Sequence, residues 1–155
     1  MYTAKALFTN FPLMSALVGW FVAQICKLFT GMFRERNFDV LTALFGTGGM
    51  PSSHAATVCA LSMASAIAYG LRSFEFAVTV ILAFIVMRDA SGVRRSAGEQ
   101  AKIINRMIKT LSQGGTIDFN SDIKEIIGHT PFQVFVGAIL GAAVPFLMML
   151  IMPVR

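Results

Sequence analysis

The residues of this 155-residue chain best suited to chemistry are its two histidines, a Gly48-Gly49-Met50-Pro51-Ser52-Ser53-His54 run, and a scatter of Lys and Arg. Glycines ahead of a helix start let backbone N–H groups approach an anion, and the helix dipole favours negative charge there. Ser52 or Ser53 can instead simply cap that helix. With Lys27, Arg34, Arg94 and Arg95, the two histidines His54 and His129 make an anion site. Phosphoryl transfer needs cations on the equatorial oxygens and in-line positioning. One imidazole can act as nucleophile while a second protonates the leaving oxygen. No acidic cluster forms a metal cage, and two histidines without a nearby cysteine do not make a zinc set. A metal-independent site with no cofactor is the simpler expectation.

These groups must be held by membrane elements. Charged residues are 14% of the chain and hydrophobic ones 55%, with 14 Phe and 10 Met; a soluble domain carries about 25% charge. Mean hydropathy is +0.68. We therefore expect a single all-α domain over 1–155, an integral membrane bundle of about four transmembrane helices. The first expected span is Asn10–Phe29 and includes Gln24 and Lys27, which makes it a poor signal peptide. The second, His54–Gly70, is rich in Ala and Ser, which suits close helix packing in lipid. The third is Phe74–Met87, short unless Ala90–Val93 extends it. The fourth is Phe132–Met152, with Pro145 inside. Its Gly137 and Gly141 form a Gly-x-x-x-Gly face that can pair within the bundle or join copies into a homo-oligomer. Cys26 and Cys59 read as small hydrophobes.

The long loop between the third and fourth spans contains an amphipathic helix, Gln100–Leu111. Ile103, Ile104, Met107, Ile108 and Leu111 share one face and Lys102, Arg106 and Lys109 lie off it. Such a helix can lie in the membrane interface or pack over the bundle as a lid. Gly114-Gly115 ends it.

Four spans return both termini to one side and bring the two charged loops, residues 31–53 and 88–131, to the other. Lys27, His54, Arg94, Arg95 and His129 then all arrive at one membrane face. Ten of the 13 Lys and Arg residues lie on that side, which the positive-inside rule assigns to the cytoplasm, with the termini opposite. Arg94 and Arg95 can equally be ordinary orientation anchors, and Lys27 can snorkel to the interface.

The same residues carry a family resemblance. The chain resembles the type-2 phosphatidic acid phosphatase and vanadium haloperoxidase superfamily, and is most similar to its small, divergent membrane branch. That superfamily's first motif is Lys, six residues, Arg-Pro; here Lys27 and Arg34 keep the spacing and Glu35 replaces the Pro. Its Pro-Ser-Gly-His motif corresponds to Pro51-Ser52-Ser53-His54. Its third motif is split, with Arg94 and Arg95 in "GVRRSAGEQA" and His129 in "GHTP". The resemblance implies that His129 attacks phosphorus and His54 serves as acid and then base. It also implies that Lys27, Arg34 and Arg94 or Arg95 clamp the phosphate while Ser53 and the Gly49 region bind its oxygens. Gln133 stands where the general motif has Asp. It brings no charge to His129, and an analogous Asp-to-Asn change in a serine-protease triad costs about 10⁴ in rate. Asp89, Glu99, Asp118, Asp122 or Glu125 can supply the carboxylate instead.

The function expected is hydrolysis of a lipid phosphomonoester or diphosphate, such as phosphatidylglycerophosphate, phosphatidate or an isoprenyl diphosphate. The partners implied are that substrate and membrane lipids, with no nucleic acid. The rival readings are a catalytically impaired protein that binds phosphate or anionic lipid, a small transporter or channel subunit, and, remotely, a haloperoxidase.

Overall fold

A helix in lipid gains nothing from hiding large apolar side chains from the tails around it, so contact between helices depends on close backbone approach. The computed structural model, which describes residues 2–34, 49–113 and 128–154, follows this rule. Its helices are α1 (Tyr2–Phe8), α2 (Phe11–Arg34), α3 (Ser53–Tyr69), α4 (Phe74–Arg88), α5 (Arg94–Gln113) and α6 (Pro131–Ile151). One π-helical turn, Asp89–Val93, joins α4 to α5. No strand occurs among the described residues.

The interior is made of small residues. Ala16, Ala23, Ala55, Ala56, Ala60 and Ala64 are buried together with Ser15, Ser62 and Ser65. Large apolar side chains point outward, among them Phe21, Phe84, Phe146 and Leu150. A soluble domain does not expose apolar surface on this scale, so the chain is an integral membrane protein. Three stretches are long and apolar enough to cross a bilayer: Phe11–Gly31, Phe74–Thr110 and Pro131–Ile151. Helix α3, with 17 residues, is shorter than these. It is nevertheless the centre of the bundle, packed against α2, α4 and α6. Its Ala and Ser residues let three neighbours approach at once.

Local chemistry explains the boundaries. Asn10 caps α2, its Oδ1 accepting from the Leu13 N–H at 3.1 Å. Ser52 caps α3, and Gly70, with φ +88°, ends it by donating to the Ala66 carbonyl. The expected extension of the third span through Val93 exists as the π turn. The amphipathic helix begins at Arg94, six residues before the expected start, because it continues from that turn without a break. Its Gly114-Gly115 stop lies outside the described residues.

The Gly137/Gly141 face is occupied within the chain. A Cβ on Gly137 would strike the Ser52 carbonyl oxygen, and one on Gly141 would lie 2.7 Å from Ala56 Cα. Of the two pairings expected for this face, the one within the bundle is present: both glycines are buried against α3. Gly19 on α2 makes a similar approach, 2.9 Å from Ala60 Cβ for an added Cβ.

This packing makes a steric prediction. Gly141→Ala must push backbone apart and should cost about 1–3 kcal/mol, seen as a lower Tm in detergent. Gly92→Ala, whose added methyl meets nothing within 4 Å, should leave Tm unchanged or slightly raised. A Gly141→Ala protein as stable as the parent would refute the close α3–α6 approach.

Candidate functional site

Lys27 lies late in α2 and is only 4% exposed. An ammonium at that depth needs oxygen partners, and its Nζ donates to Ser53 Oγ at 3.4 Å. The two serines divide the work at the start of α3. Ser52 is the cap, its Oγ accepting from the Ala55 N–H, while its own N–H donates to the Gln133 carbonyl at 3.1 Å. That bond ties the beginning of α3 to the beginning of α6. Ser53, one residue on, faces the lysine.

The loop before the cap is pinned to α2 by Thr30, whose hydroxyl donates to the Met50 carbonyl at 2.6 Å. The Met50–Pro51 peptide is cis. Gly49 has φ +93°, and a Cβ there would lie 3.8 Å from Lys27 Cγ and Cδ. The glycine is required by the left-handed backbone rather than by space, since a Cβ there would make only an ordinary contact with the lysine stem.

His129 stands just before the α6 cap and is 3% exposed. Its N–H donates to the Ala90 carbonyl at 3.1 Å. Ala90 belongs to the π turn, where the helix leaves its ordinary hydrogen-bond register, a device often found at functional sites. His54, in the first turn of α3, is exposed. The two imidazoles face one another with centroids 6.3 Å apart and planes inclined by 60°. Ala55, Ala90 and Val134 form a buried cluster with Met87 packed against it.

The sequence-expected residues therefore separate. Lys27, Gly49, Ser53, His54 and His129 meet at one end of the bundle, where α2 and α4 finish and α3 and α6 begin. Two helix N-termini open there, each favourable to an anion. Arg95 is not among them. It is exposed and pairs with Glu99 at 3.2 Å along α5, which also commits the Glu99 carboxylate. Arg94 begins α5 and Arg34 ends α2, and both side chains lie outside the described residues, as do Asp118, Asp122 and Glu125. Asp89 opens the π turn and is half-buried. Among the described residues no group of three or more His, Cys, Asp or Glu is arranged to hold a metal ion.

Gln133 has a different task from the one its position in the motif implied. Its Oε1 accepts from the Thr130 N–H at 2.9 Å, and Thr130 Oγ1 accepts from the Gln133 N–H at 3.3 Å. The pair is a capping box, which spends the amide oxygen on the backbone rather than on an imidazole. The signal is present in the sequence as Thr-x-x-Gln ahead of an apolar run. Thr30 and the Ala90 carbonyl had no such signal, because each acts through a partner distant in the chain.

A family model described as the divergent PAP2 family matches residues 8–144. The chain belongs to that family. It is 41% identical to the "uncharacterized membrane protein" YuiD of Bacillus subtilis, in an alignment covering 87% of this chain and 91% of that one. No solved structure matches it. Membership in the divergent PAP2 family makes it a phosphatase-related membrane protein.

The capping box gives a test of Gln133. Gln133→Ala should cost about 1 kcal/mol of stability. Gln133→Glu keeps the acceptor and places a negative charge at the helix N-terminus, so its Tm should equal or exceed the parent's. A Gln133→Ala protein with an unchanged Tm would remove the structural assignment.

Proposed function

We propose that this divergent PAP2 protein hydrolyses a lipid phosphomonoester or diphosphate through a phosphohistidine at His129. The observation that carries the reading is the facing pair His54 and His129 beside the buried Lys27. The two histidines come from motifs 75 positions apart in the chain, yet their rings are close enough for one small ligand group to touch both. His129 is enclosed and fixed through its backbone N–H, which suits a nucleophile that must be aimed. His54 is exposed, which suits a group that exchanges protons with water.

In this reading the His129 imidazole nitrogen attacks phosphorus and the bond from phosphorus to the leaving oxygen breaks. His54 gives that oxygen its proton. A water then attacks the phosphohistidine, His54 takes the water's proton, and inorganic phosphate leaves. Lys27, with Arg34 and Arg94 from the neighbouring helix ends, offsets the phosphate charge, while Ser53 and the Gly49 backbone hydrogen-bond its oxygens. The excess of Lys and Arg on the site side supports a cytoplasmic site, and hence lipids of that leaflet such as phosphatidylglycerophosphate or phosphatidate.

A second reading keeps the anion site without turnover. What favours it is Gln133, an uncharged amide where the general motif has Asp, whose oxygen is engaged by the Thr130 N–H in the capping box.

Phosphate release by detergent-solubilised protein separates the two. The substrates are phosphatidate, phosphatidylglycerophosphate and an isoprenyl diphosphate, each with EDTA present. The phosphatase reading expects turnover that survives EDTA and falls by about 10²-fold or more in both His54→Ala and His129→Ala. Full activity in His129→Ala would sink it. No turnover in the parent, with vanadate still raising Tm, would establish the binding reading instead.

A further inference from the structure

Beyond its first residue, Arg94, helix α5 has no role in the proposed site, and its principal packing is against the π turn from which it grows. Its two faces differ sharply. At about 100° per residue, Ile103, Ile104 and Met107 fall on one arc, and Lys102, Arg106 and Lys109 on the arc opposite. The three apolar side chains are 51%, 42% and 60% exposed. Arg106 and Lys109 are also exposed, and Lys102 is half-buried. An apolar face left open on an ordered helix requires a cover, and the opposed cationic face limits what that cover is.

The position of α5 along the membrane normal narrows the choice further. The run from Phe74 to the end of the π turn at Val93 has a rise of about 30 Å at 1.5 Å per residue, the thickness of a bilayer's hydrocarbon core. Helix α5 therefore starts at the headgroup level. A π turn is also one of the few places where a helix changes direction sharply. Continuing straight, α5 would carry Ile103, Ile104 and Met107 into water; turned along the surface, it buries them at the acyl boundary and holds its cations at phosphate height.

We propose that α5 is an interfacial helix that seats its Ile103–Ile104–Met107 face in the bilayer its own bundle spans, with Lys102, Arg106 and Lys109 bound to the phosphates of anionic lipids. Opposed apolar and cationic faces on a helix of low overall hydrophobicity are the physical signature of this mode, and each cation near an anionic leaflet adds to the attraction. The assignment needs nothing from the phosphatase reading and stands if that reading fails.

The test uses the full chain reconstituted in phosphatidylcholine vesicles with and without phosphatidylglycerol. Met107→Cys and Lys109→Cys, each in a Cys26→Ala/Cys59→Ala background, carry an environment-sensitive fluorophore, and nitroxide-labelled lipid is the quencher. In the anionic vesicles position 107 should be quenched several-fold more than position 109. That difference should shrink in phosphatidylcholine alone, in high salt, and in a Lys102→Gln/Arg106→Gln protein. Equal quenching at 107 and 109 overturns the proposal. Quenching at 107 that ignores both phosphatidylglycerol and the charge substitutions overturns the anionic-lipid assignment. Shielding of 107 that disappears on diluting the protein within the bilayer assigns the face to a second copy instead.

Discussion

The close approach of α3 to α6 is the contact on which the rest depends. Gly137 and Gly141 remove the side chains that would keep the helices apart, and the α3 backbone at Ser52 and Ala56 fills the space. In lipid, where apolar side chains gain little by leaving the tails, such backbone contact is a principal source of specific association. It also sets the register. With Gly137 seated on Ser52, the first turns of α3 and α6 lie side by side, and the Ser52 N–H reaches the Gln133 carbonyl. His54 and His129 face each other because of that register.

The polar end of the bundle is then assembled by single bonds from different helices. Thr30 holds the Met50 carbonyl, Lys27 reaches Ser53, and Ala90 takes the His129 N–H. Each of these crosses between elements far apart in the chain, so the site exists only when all four helix ends are in place. The buried ammonium of Lys27 and the two open helix N-termini give this end a positive character. An anion is the ligand that character suits, in keeping with membership in the divergent PAP2 family.

The π turn at Asp89–Val93 serves two neighbours at once. Its Ala90 carbonyl fixes His129 on the inside, and its far end starts α5 on the outside. The turn also marks a boundary in composition. The sequence changes with it, from the near-uniform apolar run of α4 to the two-faced pattern of α5.

Much of this was determined by the sequence alone. Low charge and long apolar runs made a helical membrane bundle unavoidable, and helix ends followed from local chemistry at Asn10, Gly70 and Thr130. The meeting of Lys27, His54 and His129 at one end of the bundle followed from counting spans, because consecutive spans must run in alternating directions. Tertiary structure alone decided which of two equivalent local options was taken. Ser52 rather than Ser53 caps α3, since only then can Ser53 meet Lys27. Gly137 and Gly141 seat against α3 of their own bundle, where Ser52 and Ala56 leave room for close backbone approach. Arg95 with Glu99 and Gln133 with the Thr130 backbone are, by contrast, contacts within one helical turn, which spacing alone allows. Sequence spacing states which residues can share a helix face, but the partner across that face comes from distant chain, and only packing supplies it.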